Sequence, residues 1–229
     1  NEHDRHYPAI PLRNVTVFPG MVMHFDVSRK KSVRAVEAAM SADELIYLVT
    51  QMDSQVSEPG MEDLYKVGTI AKIKQIIRMP GKILRVQVEG IRKAAVNSFE
   101  EASGMMIADV SVMPGFEKPD KMVSRAIIVG MRELLTQYAH VNPKFAKDTV
   151  KRWLSYSDAE KLMMEFAQEF MMDFDKRQQF LEAEDYEQMY TFAATLLVNE
   201  INAYTIKEEL GNIVRERVDK NQKDYILRE

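Results

Sequence analysis

Cysteine is absent from this chain of 229 residues. Its absence excludes a disulfide framework, a thiolate metal site and a cysteine nucleophile. A sequence without cysteine also suits a reducing compartment, and we therefore expect a cytoplasmic protein.

Long hydrophobic runs are missing as well. Hydrophobic residues make up 46% of the chain. Charged residues nevertheless interrupt every apolar stretch well before the about 20 residues that a membrane-spanning helix needs. The first residues are polar and do not resemble a signal peptide. We therefore expect no segment that crosses a membrane or anchors in one.

Charge of one sign is not in large excess. The chain has 31 lysines and arginines against 35 aspartates and glutamates, which gives a formal net charge of −4. A protein that binds nucleic acid through its phosphates needs clustered positive charge. The composition therefore argues against a nucleic-acid partner and against binding to an anionic membrane.

Sequence patterns of nucleotide-binding and hydrolytic sites are absent. A phosphate-binding loop needs spaced glycines before Lys-Ser or Lys-Thr, whereas the pair Gly81-Lys82 is followed by Ile83. There is no Gly-x-Ser-x-Gly elbow and no His-Glu-x-x-His helix. We therefore predict no catalytic residue and no cofactor-binding site in this chain.

The four histidines are scattered, at His3, His6, His24 and His140. His3 and His6 could form a weak metal pair, but we interpret the segment 1–7 as a disordered tail. We interpret His24 as a structural residue of an apolar strand and predict no metal site. One acidic cluster could be a carboxylate pair, although favourable interaction with a helix dipole explains it without catalysis. Its members are Glu182, Glu184, Asp185 and Glu187.

The first half of the chain alternates in short segments, which is typical of strands. Apolar runs over residues 10–27, interrupted by a Pro-Gly pair, predict two strands joined by a turn. Helical spacing then predicts a helix that starts after Asp26 or Ser28, followed by a short buried strand at 45–49.

The clearest prediction in this half is a β-hairpin. Residues 67–77 and 84–89 alternate between apolar and polar, and Met79-Pro80-Gly81-Lys82 joins them. Proline sets φ near −65° at the second position of a type II turn, and glycine tolerates the positive φ of the third. A third strand, 105–112, is expected to pair with this hairpin. These strands and one helix predict a compact, curved, mostly antiparallel sheet.

The second half has helical spacing and few residues that break helices. The segment MPGFEKP, 113–119, predicts a linker, so we expect a β-rich domain over 1–115 and a helical subdomain over 116–229. Asp120 is expected to cap the first helix. The fold class is therefore α+β. Further helices are predicted at 144–154, 158–172 and 175–181.

A single long helix is predicted from residue 184 to 229. At about 1.5 Å per residue it would extend roughly 65 Å. Its apolar positions as far as Ile206, Leu210 and Ile213 are expected to pack, and the polar stretch 215–223 is expected to be solvated. No glycine, asparagine or proline closes the helix, so we expect the natural protein to continue.

Methionine is unusually frequent, with 16 residues. Flexible methionine side chains suit apolar surfaces that accept varied partners, although most of these residues are expected to fill the core. Met21 and Met79 differ because both flank Pro-Gly turns, where side chains reach solvent more readily. The apolar residues at these turns form our candidate binding surface: Phe18, Pro19, Met21, Ile77, Met79 and Pro80.

Four segments together resemble the amino-terminal region of the Lon family of ATP-dependent proteases. They are IPLRNVTVFPGM, KSVRAVEAAM, YKVGTIAKIKQIIRMPG and LRVQVEGIRKA, and they occur in the order and spacing of that family. The closing segment RERVDKNQKDYILRE looks like the helix that leads into the family's ATPase module. The hairpin tip departs from the family's usual Pro-Asp-Gly, and the helices over 144–180 match less well.

The resemblance implies a non-catalytic substrate-recognition and assembly region. The parent protein would be a homohexameric serine protease with a Ser-Lys dyad that uses ATP and Mg²⁺, and both of its sites would lie outside this chain. The implied partners are unfolded or degron-bearing proteins and the protein's own ATPase-protease module. From turn placement and side-chain chemistry, and not from a known site of the family, we expect the six candidate residues to bind exposed hydrophobic segments of damaged proteins.

Three other functions compete with this interpretation. The region could mainly space and assemble the hexamer, with the long helix as a strut. It could be a free-standing adaptor, although the uncapped carboxyl end argues against that. It could also bind RNA as a curved-sheet domain, but only Lys72, Lys74 and Arg78 form a modest basic stripe.

Overall fold

The computed structural model describes residues 4–228 and divides the chain into two compact units. Unit 1 contains the chain up to Glu117 and also Phe170–Glu184. Unit 2 contains Lys118–Glu169 and the chain from Asp185 onward. The expected linker coincides with the first crossing between units, but the chain also returns to unit 1 for 15 residues that we had assigned to the helical subdomain.

The element order confirms an α+β fold with the strands in the first half. The strands are β1 Asp4–Leu12, β2 Val22–Val27, β3 Leu45–Thr50, β4 Val67–Met79, β5 Ile83–Ala102 and β6 Met105–Val112. The helices are α1 Lys30–Met40, α2 Lys121–Val141, α3 Lys147–Leu154, α4 Ala159–Glu169, α5 Phe174–Glu182 and α6 Tyr186–Arg228, and a short 3-10 helix spans Met61–Asp63.

The six strands of unit 1 form one curved sheet in the order β2-β5-β4-β3-β1-β6. β6 also pairs with β5, so that β5, β4, β3, β1 and β6 close into a ring. All pairings are antiparallel except that of β1 with β3. β5 is long enough to pair with β4 on one side and with both β2 and β6 on the other, which is how the ring closes.

Alternation of apolar side chains fixes the face that each strand buries. In β5, Leu84, Val86 and Val88 are buried, whereas the residues between them are half-buried. They pack with Ile73 of β4 and with Val36 of α1 in a core beneath the curved sheet. A second core, around Tyr47 and Val110, fills the remainder of the ring.

The predicted hairpin of β4 and β5 is confirmed, with Met79 paired to Ile83. Gly81 has a φ of 78°, as the turn prediction requires. Lys82 also has a positive φ, of 58°, which the prediction did not anticipate. The strand at Met105–Val112 is likewise confirmed, and it pairs with β5 as expected.

The start of the chain differs from the expected disordered tail. His3 lies outside the described residues, but β1 begins at Asp4 and pairs with β6 from Asp4 to Ala9. The ring Nε2 of His6 lies 3.9 Å from a carboxylate oxygen of Asp109 on β6. The tail prediction was wrong here because ladder hydrogen bonds to a distant strand order a segment whose own composition is polar.

Two buried polar side chains hold α5 in unit 1. The amide of Gln178 donates to the carbonyl of Val67 at 2.8 Å. The ammonium of Lys93, on β5, donates to the carbonyl of Ala183 at 2.6 Å and to that of Leu181 at 3.5 Å. The segment therefore belongs with the strands although it follows the first helices of unit 2 in sequence.

Unit 2 is a helical bundle built around α2. Asp120 caps this helix as predicted, since its carboxylate accepts from the backbone N–H of Val123 at 2.8 Å. The buried face of α2 packs against α6 and α4 and contains Ile127, Ile128, Met131, Leu135 and Tyr138. Met122, nine residues before Met131 and therefore on the opposite side of the helix, is 83% exposed.

The long helix is confirmed as α6, of 43 residues. Its first turns are buried, with Met189, Ala193 and Leu197 fully enclosed. Our expectation that Ile206, Leu210 and Ile213 also pack was wrong, because each is about half exposed. No helix within residues 4–228 is long and apolar enough to span a membrane.

Candidate functional site

The segment between β1 and β2 contains three of the six candidate residues. Two buried threonines hold it against the sheet: the hydroxyl of Thr50 donates to the carbonyl of Val15 at 2.6 Å, and that of Thr69 to Val17 at 2.5 Å. These bonds place Phe18 in the interior, where it is 0% exposed. Phe18 therefore belongs to the core and cannot contact a partner in this state.

Pro19 and Met21, next to Phe18, are half-buried where the segment meets β5. The N–H of Gly20 donates to the carbonyl of Gly90 at 2.8 Å, and the N–H of Gly90 donates to Met21 at 2.8 Å. A Cβ at position 90 would overlap the carbonyl of Phe18, which explains why glycine stands there.

The other three candidate residues lie at the tip of the β4–β5 hairpin. Ile77 is 45% exposed, Met79 is half-buried and Pro80 is exposed. Ile77 pairs with Arg85 and Met79 with Ile83, so their side chains share the outer face of the sheet. This cluster, Ile77, Met79 and Pro80, is the solvent-facing part of the predicted surface, and we call it the hairpin tip.

The structure does not bring the six residues into one patch. The segment around Met21 lies beside Gly90, whereas the hairpin tip lies beside Ile83. Seven residues of extended strand separate these two points, which corresponds to roughly 23 Å. Turn placement alone could not reveal this separation, because it depends on the register between β2 and β5.

Polar residues cover the outer face between these two groups. Arg85 donates two hydrogen bonds to Asp26, at 2.9 and 3.2 Å, and these bonds lower the pKa of the Asp26 carboxyl. Lys74 lies 2.9 Å from Glu89, and Lys72 lies 4.0 Å from Glu44. Two cations of the basic stripe thus face carboxylates, which leaves little net positive charge for the RNA alternative.

Lys93 is the most unusual ionisable group of unit 1, because it is only 2% exposed. Burial lowers the pKa of its ammonium, while the carboxylates of Glu184 and Glu182 act in the opposite direction. The ammonium also lies 4.1 Å from the centre of the Phe116 ring. A perturbed lysine can mark a functional site. Here its hydrogen bonds go to carbonyls at the end of α5, which indicates a structural role.

The sequence did not predict a cleft beside α1 that is lined by charges of both signs, with Glu58 and Glu101 facing four cations. It has a volume of about 810 Å³, and Arg29, Lys30, Lys31 and Arg34 line it together with residues 57–60. Arg29 donates to the carbonyl of Pro11 at 2.6 Å. The run of three consecutive cations was visible in the sequence. The fold places these three cations at a cleft, which the sequence could not show.

Residues 4–228 contain no group of three or more histidine, aspartate or glutamate side chains that could hold a metal ion.

A family model described as the substrate-binding domain of ATP-dependent protease La (LON) matches residues 6–199. The chain belongs to the Lon substrate-binding domain family. Its resemblance to the Lon amino-terminal region, inferred from sequence strings, is thereby confirmed.

Curated relatives of the Lon family cover this chain along its whole length. Lon protease of Lachnoclostridium phytofermentans is 36% identical over 230 residues, which span 100% of this chain and 28% of the relative. Lon protease of Syntrophomonas wolfei is 34% identical over 98% of this chain and 28% of its own length. Lon protease 1 of Bacillus subtilis is 30% identical over 100% and 29%. The chain thus spans less than a third of the length of these relatives.

Solved structures of Lon amino-terminal domains share the fold. The N-terminal domain of Mycobacterium avium complex Lon protease has a TM-score of 0.62 at 20% identity and covers 86% of this chain, with 98% of its own length matched. The Lon N-terminal domain protein from Xanthomonas campestris has a TM-score of 0.58 at 13% identity, covering 83% of this chain and 98% of its own length.

Proposed function

We propose that this chain recognises substrates for an ATP-dependent protease by binding unfolded or degron-bearing proteins. The observation that carries the proposal is the match of residues 6–199 to a substrate-binding domain. The exposed apolar side chains of the hairpin tip support it, because unfolded proteins present hydrophobic segments that folded proteins bury.

The parent protein would supply the chemistry. We expect a cytoplasmic homohexamer that degrades misfolded, damaged and degron-bearing regulatory proteins with a Ser-Lys dyad. ATP and Mg²⁺ would bind to its ATPase module, outside this chain. Two observations support placing the catalytic and ATP-binding sites outside this chain: the relatives' name, Lon protease, and the small share of their length that this chain covers.

Alanine substitution at the hairpin tip tests the proposed contact surface. We expect the double variant Ile77→Ala and Met79→Ala to bind a permanently unfolded, carboxymethylated protein about tenfold more weakly. Tenfold corresponds to about 1.4 kcal/mol, the order expected for losing apolar burial. Val129→Ala is the control, because Val129 is 55% exposed on α2 of unit 2. Equal binding by the double variant and wild type would remove the hairpin tip from the site.

A role in assembly is a second candidate, and the distal half of α6 supports it. Five apolar side chains there are about half exposed within the described part of the chain: Ile206, Leu210, Ile213, Val214 and Val218. Apolar side chains at this helical spacing suit contact with another helix.

Sedimentation tests the assembly role. Leu210→Glu should weaken self-association of the fragment, because it places a charge within the apolar stripe. Lys207→Glu is the matched control, because Lys207 is exposed and polar. A wild-type fragment that stays monomeric at high concentration would contradict assembly through α6.

A further inference from the structure

The outer edge of β2 is a strand edge without a partner in the described structure. β2 is the terminal strand of the sheet and pairs only with β5. We propose that this edge binds an extended segment of unfolded polypeptide as an added strand. The inference rests on the proposed function and assigns the backbone contacts through which an unfolded substrate would bind.

Ladder alternation shows which backbone groups are available. The N–H of Gly90 donates to the carbonyl of Met21, and antiparallel partners alternate in the direction of their hydrogen bonds. Met23, Phe25 and Val27 therefore direct their N–H and C=O groups toward β5. The same groups of Val22, His24 and Asp26 point away from it. In the described part of the chain, no second strand pairs with β2 on the side to which these outward groups point.

The core side of this edge favours a partner with apolar side chains. Met23 and Phe25 are only half-buried, although both pack against the main core. A cleft of about 180 Å³ lies beside Phe25 and Val27. Its lining includes apolar Leu12 and Val15 and also the charged side chains of Arg13 and Arg29. Alternate side chains of an added strand would meet this surface. The edge therefore fits an extended segment with an apolar residue at every second position.

A second open edge in unit 1 shows how this protein blocks strand addition elsewhere. β3 pairs with β4 only as far as Lys72, and the stretch of β4 beyond Ile73 has no partner strand on that side in the described structure. That stretch carries Lys74 and Arg78, and its register shifts between Ile73 and Gln75. Lysine, arginine and bulges are devices that discourage strand addition.

β2 has none of these devices between Val22 and Val27. The segment VMHFDV contains no proline, lysine or arginine, and its pairing with β5 is regular. Its one charged side chain, Asp26, already accepts two hydrogen bonds from Arg85. The contrast between the two edges identifies β2 as the edge that is open to a partner.

Proline at His24 tests the backbone contact directly. The N–H of His24 points outward, so His24→Pro removes a donor from the free edge and none from the ladder with β5. His24→Ala is the matched control, because it removes the same imidazole and keeps the N–H. The probe is a carboxymethylated, permanently unfolded protein. We expect wild-type affinity for His24→Ala and about tenfold weaker binding for His24→Pro.

Hydrogen exchange on the wild-type protein keeps the test valid if the proline variant fails to fold. The amides of Val22, His24 and Asp26 should exchange fast in the free protein and become protected with the probe, whereas those of Met23 and Phe25 should be protected in both states.

Probe binding without new protection at the outward amides would overturn the strand-addition proposal and leave substrate binding standing. No probe binding would contradict the proposed function itself. Protection that rises with protein concentration alone would assign the edge to a second copy and overturn the proposal.

Discussion

Replacing Lys93 with methionine should release α5 from unit 1. The variant keeps an unbranched side chain to pack beside Phe116, but it removes the donor to the carbonyls of Ala183 and Leu181. Ala183 and Leu181 are each 1% exposed, so water cannot replace the lost donor without local opening.

Hydrogen-bond energetics set the size of the effect. A hydrogen bond from a charged group contributes about 1.5–3 kcal/mol, and a buried acceptor without a donor costs about 1–3 kcal/mol. Desolvation of the ammonium, the cause of its lowered pKa, offsets part of this loss. We therefore expect Lys93→Met to reduce the free energy of unfolding by about 2 kcal/mol.

Urea denaturation and hydrogen exchange check this expectation together. The midpoint should fall, and amides of α5 should exchange faster than those of α2. The matched control is Lys31→Met, because Lys31 pairs with Glu101 at an exposed site and should leave the midpoint near that of wild type. Equal midpoints for Lys93→Met and Lys31→Met, with α5 still protected, would show that Lys93 does not hold α5 in unit 1.

The pH dependence of Lys93 has a definite sign. Its pKa is lowered in the folded protein, so the unfolded chain binds more protons between that lowered pKa and the ordinary value of 10.5. The free energy of unfolding of wild type should therefore rise with pH in this window, relative to Lys93→Met. A difference between the two proteins that shrinks as pH rises would contradict the assigned direction.

Three further predictions concern stability. Phe18→Ala should reduce the free energy of unfolding by about 3–5 kcal/mol in urea denaturation, because the ring is fully buried. Weakened substrate binding at unchanged stability would instead make Phe18 a contact residue. Asp120→Ala should cost about 1 kcal/mol through loss of the α2 cap, and an unchanged urea midpoint would contradict it. Burial raises the pKa of Tyr186 to about 12. The free energy of unfolding of wild type should therefore fall between pH 10 and 12, and it should fall less in Tyr186→Phe. An equal dependence of the unfolding free energy on alkaline pH in the two proteins would contradict this.

Sequence patterns predicted those elements whose formation depends mainly on residues close together in the chain. Period-two alternation and the Pro-Gly tip identified the β4–β5 hairpin, and a capping aspartate identified the start of α2. They did not predict that β5 runs on to Ala102, because alternation weakens after Gly90 where the strand turns to pair with β6.

The placement of α5 in unit 1 depends on long-range polar contacts, which the sequence could not show. Lys93 and Ala183 are 90 residues apart, and neither is part of a periodic pattern that would announce their contact. The apolar stripe of α6 illustrates a different limit. Helical spacing shows that Leu210 and Ile213 share a face, but it does not show whether another element covers that face.

The six candidate residues stay a prediction as a binding site, and the structure shows which of them reach solvent. The hairpin tip is exposed as its Pro-Gly turn suggested, whereas Phe18, beside an equivalent turn, is buried because Thr69 holds the preceding carbonyl against the sheet. The free edge of β2 was not foreseen, since it depends on strand order.

We propose that this chain distinguishes unfolded from folded proteins. The most direct test is equilibrium binding of this chain to one protein presented in both states, followed by titration with salt and with a competing apolar peptide. We predict binding to the unfolded form alone, displacement by the peptide and little effect of salt. Equal binding to both states, or to neither, would contradict substrate recognition by this chain.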